Sequence, residues 1–195
     1  MMTSVKHVVL MVCVITMFCR GDAFLDEAMA RYDFDSWAGT TNTLYTALAE
    51  PIDILSLDLP TNGICTTTKY VDDADAGERR LMLFSPVDKS FQIRIRAKQV
   101  ATVLDAQTEL VRTLSDFALV WLFSATNDLA GDRCYCKFTT NGYGYVAFTR
   151  NNVFADVLTY TTNQISAADI AARLDSAILD ASTNTQHGAS CGGGH

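Results

Sequence analysis

The chain has 195 residues, 49% of them hydrophobic and 19% charged, with 15 basic and 22 acidic side chains and a net charge of −7. That mixture is globular rather than disordered or fibrous, and one compact domain is the default. Its acidity argues against a nucleic-acid partner, because nothing in it would drive counterion release from phosphates.

Residues 1–23 start with a short polar stretch containing Lys6, continue through an apolar run from Val8 to Cys19, and end in Gly21-Asp22-Ala23, with small residues at positions −3 and −1 of a cleavage site. This is the pattern of a secretory signal. The apolar run is about a dozen residues, short of the roughly 20 that a membrane-spanning helix needs. No second run of spanning length follows, so stable membrane insertion is not expected. Removing the first 23 residues leaves a single domain, residues 24–195, of 172 residues with 13 basic and 21 acidic side chains, a net charge of −8. Four of the six cysteines stay with it, Cys65, Cys134, Cys136 and Cys191, in an extracellular setting where disulfides persist. Four cysteines allow three pairings. No Asn-x-Ser/Thr sequon occurs.

From about Asn42 to Arg150 the chain shows short segments rich in Thr, Val, Ile, Tyr and Phe between turn-forming clusters. Eight strands are expected: Asn42–Ala49, Ile64–Asp72, Arg79–Ser85, Ser90–Lys98, Thr108–Ser115, Phe117–Ala125, Arg133–Thr140 and Gly142–Arg150. The clearest is Ser90–Lys98, where Phe91, Ile93, Ile95 and Ala97 alternate with Gln92, Arg94, Arg96 and Lys98, one face dry and the other wet. Short connections, Asn141-Gly142 among them, imply an antiparallel meander. Closing eight such strands into an up-and-down β-barrel buries the apolar face, removes the edges and leaves room for one small ligand. After the strands the period changes. Ser166 is placed to cap a helix over about Ala167–Ala181, whose Ile170, Leu174 and Ile178 recur every four residues and would pack on the outside of the barrel.

This order of elements resembles the lipocalins, including the crustacyanin and apolipoprotein D-like members. Three stretches carry the likeness. Phe34-Asp35-Ser36-Trp37-Ala38-Gly39 looks like the run into the family's first strand, Tyr143–Arg150 looks like its last strand with a terminal arginine, and Thr185–Cys191 resembles its tail. Threonine stands at position 41, where the family's Gly-x-Trp motif has tryptophan, and Trp37 lies on the other side of Gly39. For the barrel floor the resemblance implies Trp37 and Arg150. Trp37 either stacks on Arg150 there or covers the outside. The resemblance also implies a Cys65–Cys191 disulfide fastening the tail, worth about 4 kcal/mol by chain entropy. Cys134 and Cys136 remain unassigned. They share one strand face, and bridging them needs a bulge because a disulfide brings Cβ atoms closer than an extended strand does. Two reduced thiols, an intermolecular bridge or pairing with Cys65 or Cys191 are the alternatives.

Catalysis lacks a credible base, since the mature chain carries only His187 and His195, both in a glycine-rich tail. The acidic turn Asp72, Asp73, Asp75 lacks EF-hand spacing. No catalytic residue, metal site or cofactor is expected. A binding protein is. With Cys65 turned outward, strand parity places Ile64, Thr66, Thr68 and Tyr70 inside the barrel, with Phe91, Ile93 and Ile95, with Phe117, Leu119, Trp121 and Phe123, and with Tyr45 and Tyr145 from neighbouring strands. The resemblance implies a secreted carrier of one small hydrophobic molecule, such as a retinoid, carotenoid, fatty acid, steroid or haem, with Tyr45, Tyr70 and Tyr145 offering hydroxyls to a polar end. The alternative is a secreted interaction protein whose barrel is filled by its own side chains and whose outer face or loops bind another protein. A third reading, an isomerase-type enzyme, needs a reactive thiol inside the barrel. Whether the protein is a monomer or a homo-oligomer is left open by these patterns.

Overall fold

A computed structural model describes residues 23–41, 48, 52–59, 67–85, 87, 91–116, 123–126, 129–139, 144–160 and 166–189. A helix over residues 23–31 (α1) leads into a 3-10 turn at Phe34–Ser36, in the stretch expected to run into a first strand. Then follow β1 (Thr67–Asp73), β2 (Glu78–Phe84), β3 (Phe91–Gln99), α2 (Val103–Asp116), β4 (Ser124–Thr126), β5 (Arg133–Phe138), β6 (Gly144–Arg150), β7 (Val153–Thr159) and α3 (Ala167–Ala189).

The strands form one antiparallel sheet in the order β1-β2-β3-β7-β6-β5-β4. The antiparallel sheet expected from the sequence is present. The expected closure into an eight-stranded barrel is not, since β1 and β4 stand at opposite edges of a sheet that counts seven strands among the described residues. The physical reason is that the central strands are apolar on both faces. β7 is buried at all seven positions and β6 at its first six, so the sheet is covered from both sides by helices instead of curling around one dry face. Under α3 lies a core of Leu81, Leu83, Ile93, Ile95, Val146, Phe148 and Val157 against Ile170, Leu174 and Ile178. On the opposite face Tyr135, Tyr145, Ala147, Phe154 and Leu158 pack against Leu110, Val111 and Leu114 of α2, with Ala28, Tyr32, Phe34 and Trp37.

Local chemistry explains the elements. The segment expected as strand Thr108–Ser115 is part of α2, whose buried face is Ala106, Leu110, Val111 and Leu114. Thr102 and Asp105 form a reciprocal capping box that starts it: Asp105 N donates to Thr102 Oγ1 at 3.1 Å and Thr102 N to Asp105 Oδ2 at 3.1 Å. β7, absent from the sequence expectations, follows β6 through the two-residue link Asn151-Asn152, with Asn151 in the left-handed region at φ 50°. Ser166 caps α3 as expected, accepting from Ala168 N at 3.2 Å and Asp169 N at 3.4 Å, and the helix continues to Ala189 rather than stopping at Ala181. The β1–β2 turn needs Gly77: its φ is +62° and a Cβ there would stand 2.5 Å from the Gln99 carbonyl oxygen.

Two buried amides strap the covering segments to this frame. Asn152 donates to the carbonyls of Leu48 (3.1 Å) and Val100 (2.9 Å) and accepts from Leu48 N (3.0 Å). Gln107 of α2 accepts from Gly39 N and donates to Thr40 O, both at 2.6 Å.

Candidate binding face

The residues expected to line one cavity are divided by the sheet. Ile93 and Ile95 are fully buried in the core beneath α3, with Tyr70 half-buried beside them. Phe123 and Tyr145 lie in the other core, their ring centroids 5.5 Å apart. Thr68 and Phe91 belong to β1 and β3, but their side chains lie outside the description, as do Tyr45, Ile64, Thr66, Phe117, Leu119, Trp121 and the cysteines Cys65 and Cys191. The described members therefore fill two packed layers and share no interior space. Grooves of about 590 Å³ and 370 Å³ lie at the surface, the first between the β1–β2 turn and α2, the second between residues 56–58 and α3.

The expected barrel floor is also corrected. Trp37 and Arg150 sit on opposite faces because β6 directs Arg150 toward α3. Arg150 holds Asp175 through Nε (2.7 Å) and Nη2 (2.6 Å), and Asp132 through Nη1 (3.0 Å). Burial works against the charged form of Arg150, but the two carboxylates outweigh it and keep its pKa above the ordinary value. The cation over the Trp37 ring is Arg133, 4.8 Å from the centroid, while Trp37 Nε1 donates to Tyr32 O at 2.9 Å.

Cys134 and Cys136 are free thiols on the α3 side of β5, one buried and one half-buried. Burial, followed by the neighbouring Cys136, pushes the Cys134 thiol up to about 12, and burial also raises Cys136. Both are held as protonated, weakly nucleophilic groups. Among the described residues no group of three or more histidine, cysteine or acidic side chains is placed to hold a metal ion.

The sequence reading passed over a charged cluster on the other face. Asp156, in the middle of β7, is 0% exposed, and its carboxylate takes Arg94 Nε (3.3 Å) and Nη2 (2.9 Å) on one oxygen and Arg96 Nε (2.5 Å) on the other. Arg96 Nη2 also donates to Thr113 Oγ1 of α2 at 3.0 Å, and its guanidinium lies 4.8 Å from the Phe154 ring centroid. Burial works against the charged form of Arg96, but Asp156, Tyr145 and Glu78 together outweigh it and keep its pKa above the ordinary value. Burial, with Asp156 nearby, pushes the Tyr145 hydroxyl well above its ordinary value. A lone aspartate inside Val153-Phe154-Ala155-Asp156-Val157-Leu158 was the available signal, because a carboxylate in a buried run requires a cation.

Arg94 and Arg96 belong to a wider basic face. The register places Lys69, Met82 and Arg94 in one row across β1, β2 and β3, then Val71, Arg80 and Arg96, then Asp73, Glu78 and Lys98. All these side chains share the face that carries α2, which packs on β6 and β7. Lys69 and Val71 at the edge are exposed, and Arg80 is 39% exposed. Arg80 bonds Glu78 through Nη2, and Lys98 reaches Glu109 of α2 at 3.0 Å. Five cations thus face four carboxylates, Asp73, Glu78 and Asp156 of the strands and Glu109 of α2, in a chain that is acidic as a whole. No protein-family model and no curated protein matches the chain.

Proposed function

We propose that the protein is an exported, non-catalytic binding protein that engages its partner from the outside. The observation that carries this reading is the division of the expected pocket lining into two side-chain-filled cores on opposite faces of the sheet. A carrier of a small hydrophobic molecule needs one enclosed apolar space. Lys69 and Arg80, beyond these cores on the α2 side of the sheet, are open to solvent, as an interaction surface requires. Export is supported by the signal-like residues 1–23. The weakly nucleophilic thiols favour binding over the isomerase-type chemistry considered from the sequence.

The test is native mass spectrometry of the secreted protein, followed by titration with retinol, a carotenoid, a fatty acid, a steroid and haem. The expected result is a bare polypeptide mass and no stoichiometric binding. A co-purifying apolar molecule, or a one-to-one complex with any of the five, would restore the carrier and overturn this reading.

A further inference from the structure

We infer that the outer face of β1, β2 and β3 binds an acidic polypeptide segment in extended conformation. The inference rests on the reading of the protein as an exterior binder and names the partner's chemistry. Its first support is charge. Lys69, Arg80, Arg94, Arg96 and Lys98 gather five of the fifteen basic residues on one face of three strands, opposed there by Asp73, Glu78 and Asp156 of the sheet and by Glu109 of α2, which holds Lys98. The excess of positive charge lies on a protein that is otherwise negative, so an acidic partner is drawn to this face and repelled elsewhere.

The second support is pre-organisation. Asp156 fixes Arg94 and Arg96 from beneath, using Nε and Nη2 of Arg94 and Nε of Arg96. Nη1 of Arg94 is left for a second acceptor among the described residues. Arg80, its side chain 39% exposed, is held by Glu78 through Nη2. Guanidiniums held in this way lose little freedom when a carboxylate arrives, and they match its two oxygens.

The third support is spacing. Arg94, Arg96 and Lys98 follow one another every second residue along β3, about 6.8 Å apart, and alternate side chains of an extended peptide repeat at the same distance. An acidic residue at every second position would meet the three cations in register. Met82 and Val71, each a member of one of the charged rows, give the peptide's aliphatic stems an apolar contact.

The experiment is fluorescence anisotropy with the full mature chain and a labelled Glu-Ser-Glu-Ser-Glu-Ser peptide at low ionic strength. Comparison probes are the block peptide Glu-Glu-Glu-Ser-Ser-Ser, a heparin fragment, and vesicles containing anionic lipid. The alternating peptide is expected to bind best and to weaken with salt. Arg80→Gln and Lys69→Gln, at solvent-facing positions, should each lower its affinity roughly threefold to fivefold. Arg94→Gln should cost roughly tenfold, while Arg173→Gln on α3, on the opposite face, should change nothing. Absence of peptide binding, equal binding of the block peptide, indifference to Arg80→Gln and Lys69→Gln, or tighter binding of heparin or vesicles would each overturn the proposal. Failure of the peptide together with a bare polypeptide mass removes this partner and leaves the exterior reading standing. An apolar molecule found inside the protein removes both.

Discussion

Replacing Asp156 by asparagine tests how the charged cluster is held in the sheet. The carboxylate is 0% exposed and receives three guanidinium hydrogen bonds of 2.5 to 3.3 Å, while the Arg94 and Arg96 side chains retain 26% and 17% exposure. Asparagine preserves the volume but removes the negative charge, and it turns an NH2 group toward donors. Leaving one side of a buried pair uncompensated costs roughly 3 to 5 kcal/mol. Water reaching the partly exposed arginines places the loss near the lower end, at about 3 kcal/mol, or a melting-point drop of roughly 6 to 12 °C for a domain of this size. Urea unfolding followed by tryptophan fluorescence is a suitable assay, since Trp37 is 3% exposed and packed beside Tyr135. A companion variant, Arg94→Met/Arg96→Met/Asp156→Leu, removes all three charges together and should recover most of the loss. A loss of less than about 1 kcal/mol in Asp156→Asn would show that the guanidiniums are solvated independently of the carboxylate, and the argument for pre-organised cations would fail with it.

Cys136 should react with a thiol reagent before Cys134, which should react only on unfolding; simultaneous labelling of the two would contradict their burial. Because the folded Cys134 thiol stays protonated to about 12 whereas the unfolded one ionises near its ordinary value, the unfolded chain binds fewer protons between these limits. Stability should therefore fall as pH rises above about 9, by up to about 1.4 kcal/mol per pH unit from this group, and Cys134→Ala should flatten the slope in alkaline urea titrations. Gly131→Ala should cost about 2 to 4 kcal/mol, because φ is +71° and the new Cβ would stand 2.4 Å from Thr149 O and 2.7 Å from Phe148 Cδ2; a melting temperature within a degree of the parent would refute that crowding. Arg150→Lys removes the two-pronged grip on Asp175 and should cost about 2 kcal/mol, and a double-mutant cycle with Asp175→Asn that shows no coupling would deny the bridge between β6 and α3.

Much of the sheet was legible because period two is unambiguous where one face is wet. Ser90–Lys98 alternates cleanly and is β3 to within a residue at either end. Asn141-Gly142 and Asn151-Asn152 are turn signals of the same kind, yet only the first was read, because Val153-Phe154-Ala155-Asp156-Val157-Leu158-Thr159 is buried on both faces and has no alternation to mark it as β7. In α2, Leu110 and Leu114 fit either period. The deciding residues were Thr102 and Asp105, which lie before the apolar pattern begins. For the site, parity correctly grouped Ile93 with Ile95, but it carries no information on which layer covers a face. Tyr145 and Phe123 were consequently joined to a cavity from which the sheet separates them.

The same distinction explains where the charge lies. In a closed barrel the polar half of β3 would face water, and Arg94 and Arg96 would need no partner. Here α2 lies across the neighbouring strands β6 and β7 on that face, and Thr113 of α2 reaches Arg96, so the guanidiniums are partly withdrawn from solvent. Withdrawn cations need a nearby anion, and β7, the strand paired with β3, supplies one at the position in register with Arg96. Asp156 is therefore a consequence of layering. Because it neutralises only one of the two arginines it holds, the inner border of the face remains positive and ordered, while Lys69 and Arg80 toward the β1 edge remain open to solvent. Covering the sheet on both sides thus removes the interior site a barrel would have had and leaves an ordered cationic surface where β1, β2 and β3 extend past the helix.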